Sequence, residues 1–72
     1  MEEKRLTGTI LNWSYTRGYG FVSSPRVGEN YFLHRSQLTE EDRNNAVVGR
    51  LVEYQPTRTA RGLAAVSCVF IE

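Results

Sequence analysis

The sequence predicts an all-β fold, a small five-stranded antiparallel barrel, and three observations carry that prediction. A chain of 72 residues has room for one compact core and no large parallel sheet. Short apolar alternations recur along it, and no window holds a helical period. Clusters of Gly, Pro, Asn and Ser separate the alternating runs at strand-length intervals. Five such strands in so short a chain close, or nearly close, on themselves, because closure removes exposed edges.

Leu6–Trp13 reads as the first strand, with Thr9 and Ile10 favouring extended backbone. Tyr15–Arg17 turns into a second strand at Gly18–Ser23, and Ser24–Asn30 is a loop rich in Pro, Gly, Ser and Asn. Tyr31–His34 is the third strand. The polar segment Thr39–Asn45 starts with a single helical turn, Thr39 capping it and Asp42 three residues on. Arg50–Gln55 and Leu63–Phe70 are strands four and five, joined by a hairpin loop over Thr57–Gly62. Alternation turns Ile10, Val22, Tyr31, Leu33, Val52, Tyr54, Val66 and Cys68 inward. The expectation is one domain over residues 1–72, its core running from about 6 to 70, with no internal repeat.

Composition excludes several classes of function. A hydrophobic share of 40% with 24% charged residues suits a globular domain rather than a disordered tail. Met1-Glu2-Glu3-Lys4-Arg5 opens the chain with no apolar run behind it, which reads as no signal peptide, and Gly62–Ile71 is too short to span a bilayer. Cys68 is the lone cysteine and His34 the lone histidine, so neither a disulfide nor a metal site is expected. A reducing, cytoplasmic setting follows, with no cofactor and no membrane partner. Glu40-Glu41-Asp42 reads as a solvated loop, and Ser23, Ser24, His34 and Asp42 come with no nucleophile elbow. No phosphate-cradling glycine loop is present. Catalysis and a small-molecule substrate are therefore not expected. A net charge of +1 argues against gripping nucleic acid by charge alone, but leaves stacking open.

Two neighbouring strands carry the chemistry. In Arg17-Gly18-Tyr19-Gly20-Phe21-Val22, Tyr19 and Phe21 share one face; in Asn30-Tyr31-Phe32-Leu33-His34-Arg35, Phe32 and His34 do. Pairing the strands as a hairpin gathers four rings on one surface. The opposite phase, Val22, Tyr31 and Leu33, already fills the interior, so the rings face outward as a patch suited to binding. With Arg17 and Arg35 beside them they match single-stranded bases, which stack on rings while cations track the phosphates. Charge is distributed accordingly: residues 1–38 sum to +2 and residues 39–72 to −1.

Arg17–Val22 resembles the ribonucleoprotein motif K/R-G-F/Y-G/A-F-V, which the RNA recognition motif and the cold-shock domain share. Too little chain precedes Arg17 for the strand, helix and strand that come first in the former. Tyr31-Phe32-Leu33-His34-Arg35 resembles the second cold-shock motif, Val-Phe-Val-His-Phe, and Gly8-Thr9-Ile10 the opening strand. The likeness runs on through Val48–Tyr54 and Arg61–Val66. The chain is thereby identified as a divergent member of the cold-shock domain family. The resemblance implies an oligonucleotide-binding (OB) barrel whose partner is single-stranded RNA or DNA, acting as a monomer or weak dimer, as an RNA chaperone or as a regulator of transcription or translation. It places base stacking on Tyr19, Phe21, Phe32 and His34 and a basic contact on Arg17. Leu11-Asn12-Trp13 departs from the usual Lys-Trp-Phe, Arg35 stands where an aromatic is usual, and Leu63 where Pro is common. The family often has an aromatic in the stretch between Arg35 and Tyr54; this chain has none. Trp13 either turns outward on a bulge to join the site or is buried; Arg35 either stacks on a base or holds a phosphate, or is simply solvated. The candidate nucleic-acid-binding set is Trp13, Arg17, Tyr19, Phe21, Phe32, His34 and Arg35. The alternatives are a protein-interaction OB module, which the changes at Asn12 and Arg35 support, and a fragment of a ribonuclease-type enzyme, which no residue supports.

Overall fold

The alternating runs close into a barrel in the computed structural model, which describes residues 5–26 and 28–71. Val27, expected in the loop before the third strand, lies outside the described residues, as do residues 1–4 and 72. The strands are β1 (Leu6–Ser14), β2 (Tyr19–Ser23), β3 (Asn30–His34), β4 (Leu51–Thr59) and β5 (Gly62–Phe70). They are bonded in the closed order β1-β2-β3-β5-β4. Four seams are antiparallel. The seam between β3 and β5 is parallel, with Phe32 opposite Ala64 and Leu33 opposite Ala65. Between β3 and β4 the chain makes a 3-10 turn at Arg35–Gln37 and a short helix, α1 (Glu40–Arg43). Thr39 caps α1 as expected, its hydroxyl accepting the Asp42 amide at 3.2 Å.

The core is the inward phase of the strands. Ile10, Val22, Leu33, Val52 and Tyr54 are fully enclosed, and Tyr31 and Cys68 are buried beside them. The rings of Tyr31 and Tyr54 meet at 5.3 Å between centroids, and the Tyr54 hydroxyl donates to the Ser23 carbonyl at 2.7 Å. Leu38 and Ala46, from the connection between β3 and β4, complete the cluster. Burial pushes the Cys68 thiol up to about 11, as suits a small core residue rather than a nucleophile. Among the described residues no helix is long and apolar enough to cross a membrane.

Val66 is half-buried, not enclosed as its phase suggested; Ala65 takes the inner position instead. The cause is a bulge. Glu53 pairs with Val69 but Gln55 with Val66, so β5 carries one extra residue there, and an extra residue reverses which side chains face the core. Ser67, within the bulge, has a φ of 51°. Its amide donates to Gln37 Oε1 at 3.1 Å, and its carbonyl accepts from Arg5 Nη2 at 2.6 Å. Arg5 also pairs with Glu53 Oε1 at 2.9 Å. The backbone bonds hold the bulge while the Ser67 Cβ opposes it, so Ser67→Gly is expected to stabilise the fold by about 0.5–1 kcal/mol. A urea midpoint that rises confirms this; an unchanged or lower midpoint shows that Ser67 is not strained.

β4 also runs further than expected, through Pro56 to Thr59, and shrinks the hairpin loop to Ala60 and Arg61. β1 pairs with β4 only as far as Leu6 opposite Tyr54. Among the described residues that ladder ends short of Pro56, so the missing Pro56 N–H breaks none of its bonds.

Candidate nucleic-acid interface

The β2–β3 hairpin sets Tyr19 opposite His34 and Phe21 opposite Phe32, which puts all four rings on the outer face. Phe32 is their centre. Its ring lies 5.3 Å from Tyr19 in a tilted arrangement, 5.9 Å from Phe21 edge-on, and 6.2 Å from His34 with planes 30° apart. These are the offset and T-shaped geometries that aromatic quadrupoles favour. Phe21 is 38% exposed, a large apolar surface left open on a strand whose other face is closed.

Backbone geometry brings the polar groups to the rim. Arg17 Nη1 donates to the Tyr19 hydroxyl at 3.3 Å, which fixes a guanidinium against the ring edge. Gly18 has a φ of +75°, and the stem of Arg35 crosses so close above it that any side chain there would strike Arg35 Cδ. The Arg35 amide donates to the Gly18 carbonyl at 2.8 Å. Arg17 and Arg35 are thus held at the Tyr19–His34 end of the platform. His34 Nδ1 accepts the Ser36 amide at 3.1 Å, which leaves the proton of the neutral ring on Nε2. Gly20 lies against β1, where a Cβ would collide with the Asn12 carbonyl; the platform strand and its neighbour can approach only because Gly stands there.

The structure does not bring Trp13 into this group. β1 does bulge, with Ile10 opposite Val22 but Asn12 opposite Phe21, so Leu11 is the extra residue. The bulge sends Leu11 and Asn12 outward and returns Trp13 to the inner phase, opposite Gly20. Trp13 is half-buried and packs on the core cluster. Asn12, not Trp13, is the exposed neighbour of Phe21.

A groove continues the platform beyond what the sequence suggested. Phe21 and Phe32 form one wall, Leu63 and Ala64 of β5 the other, and Asn30 and Arg61 stand at its rim. Arg61 sits in the two-residue turn between β4 and β5 and reaches the rings only because β5 lies beside β3. Among the described residues no cluster of three or more His, Cys, Asp or Glu side chains could hold a metal ion.

A small OB-like barrel with an outward cluster of four rings and an arginine rim is the class that fold and site define. No family model matches the chain. It is 32% identical over 59 residues to a cold shock-like protein, CspA, of Stigmatella aurantiaca, a match covering 82% of this chain and 87% of that protein. A cold shock-like protein CspA of Vibrio cholerae is 24% identical over 59 residues, covering 82% of this chain and 84% of the relative. The chain belongs to the cold shock-like protein family.

Proposed function

We propose that this chain binds single-stranded RNA or DNA without catalysis, stacking bases on Tyr19, Phe21, Phe32 and His34 while Arg17, Arg35 and Arg61 neutralise phosphates. The observation that carries the reading is the exposed ring cluster around Phe32. Each stacked base contributes about 1–3 kcal/mol and every base offers a π-face, so such a surface binds single strands with little sequence preference. A net charge of +1 suits a binder that depends on stacking more than on overall charge. A protein that takes only the open strand shifts an RNA away from its hairpins, which is chaperone action and a route to control of transcription or translation. Trp13 is left out of the contact set.

Titration with a short oligothymidine, followed by NMR, is expected to shift the resonances of Tyr19, Phe21, Phe32, His34 and their neighbours. Shifts confined to the opposite side of the barrel would refute the assignment. The exposed Asn12 beside Phe21 favours a second reading, a barrel whose face now contacts a protein. That reading gains if no oligonucleotide binds even at low salt.

A further inference from the structure

We propose that the strand path does not stop at the rings but passes over Leu63 to a second groove at the end of the barrel, where Arg26 and Arg58 hold backbone phosphates of a longer strand. This rests on the nucleic-acid reading above. The ring groove is bounded by Leu63, and a second groove begins on the other side of the same side chain, between Arg26 of the loop before β3, Tyr31 and the Pro56–Arg58 end of β4. Leu63 is thus a shared wall, and the two grooves form one course along the surface.

The extension of β4 past Pro56 makes this arrangement. It sets Arg58 directly opposite Leu63 in the β4–β5 ladder. Arg26 reaches the same groove from the loop before β3, so that both arginines line it beside Tyr31. Among the described residues one carboxylate, Glu29, stands near them. It accepts the Tyr31 hydroxyl at 3.3 Å and lies 3.8 Å from Arg26, whose side chain remains 69% exposed. Among the described residues one acid faces two guanidinium groups, and no described residue lining either groove carries a carboxylate.

The chemistry of the second groove differs from that of the first. Its one ring, Tyr31, is 2% exposed, so a base finds no face to stack on. A guanidinium fork suits phosphate oxygens. The strand would therefore be read by stacking along β2 and β3 and merely held by its phosphates beyond Leu63. Affinity would then depend on length in a way the rings alone do not produce.

The test is a length series of labelled oligothymidines, from about 4 to about 10 nucleotides within the range that such barrels cover, measured by anisotropy at several salt concentrations. The double variant R26Q/R58Q is expected to weaken the longest strand about fivefold, the scale of two exposed ion pairs. It should also flatten that strand's salt dependence by about 0.7 in log–log slope per lost phosphate contact and leave the shortest strand unchanged. Equal weakening at every length, or none at any, overturns the proposal while leaving the ring reading intact. Failure of the wild-type chain to bind any length overturns both. Inorganic phosphate alone separates a strand path from a small-anion site: if it shifts the Arg26 and Arg58 resonances and no length effect appears, the strand path is refuted. Should the double variant lose its thermal transition, R58Q alone gives the same comparison at about half the effect on the free-energy scale.

Discussion

Replacing Phe32 with alanine is expected to lower affinity for oligothymidine by about 10- to 100-fold, the equivalent of one lost stacking partner, and to leave a folded barrel. Phe32 touches Tyr19, Phe21 and His34, so its removal takes one stacking surface away and loosens the other three. Those contacts all lie on the outer face. The inner side of β3 at this point is filled by Tyr31 and Leu33, which the substitution does not touch. The stability cost is accordingly about 1 kcal/mol, the scale of half-buried ring contacts. Equilibrium binding and thermal unfolding of the same sample separate the two effects. If Phe32→Ala unfolds while Phe21→Ala binds as the wild type does, the ring cluster is core and the interface lies elsewhere.

Tyr54→Ala does the reverse, removing the fold rather than the site. Tyr54 is fully enclosed, and truncating a buried aromatic costs about 3–5 kcal/mol. A domain of this size has only about 4–11 kcal/mol in total, so most of the stability goes. Tyr54→Phe keeps the packing and loses the 2.7 Å bond to the Ser23 carbonyl, a cost of about 1–2 kcal/mol. The hydroxyl also makes stability depend on pH. Burial pushes it up to about 12 from an ordinary 10.0. Between those values the folded state keeps a proton that the unfolded chain has lost, so stability present in full below pH 10 falls as pH rises through 12. Cys68 adds a loss of the same sign between its ordinary 9.0 and about 11. Denaturant titrations at pH 8 and 11 measure the fall. Tyr54→Phe should reduce it, and an undiminished fall in that variant would assign the whole effect to other groups.

How far the sequence reaches is clear from single residues. Phe21 and Phe32 were legible as an exposed pair because strict alternation assigned the interior to Val22, Tyr31 and Leu33, and pairing the two strands as a hairpin, which the structure shows, puts the rings together. Val66 was misplaced because the bulge at Ser67 reverses the phase without a glycine to mark it. Trp13 turned on the same problem: the bulge was one of its two open readings, but not that the extra residue would be Leu11, which returns the indole to the core. Arg61 and the second wall of the groove were out of reach for a different reason. They depend on β3 lying beside β5, a parallel contact between strands distant in the chain, and no local pattern encodes it. Local signals specify which side chains share a strand face; the seam specifies which faces become neighbours.

That seam has a thermodynamic consequence. The platform belongs to a hairpin, but the groove needs Phe32 and Ala64 at adjacent positions, and only a closed barrel supplies both. An unclosed chain offers rings without a channel. A ligand seated in the channel therefore selects the closed form and raises its stability by about 2.7 kcal/mol when present at 100 times its dissociation constant. For a chain this small that is a sizeable share of the whole, and a strand bound as proposed would act, in effect, as a sixth structural element.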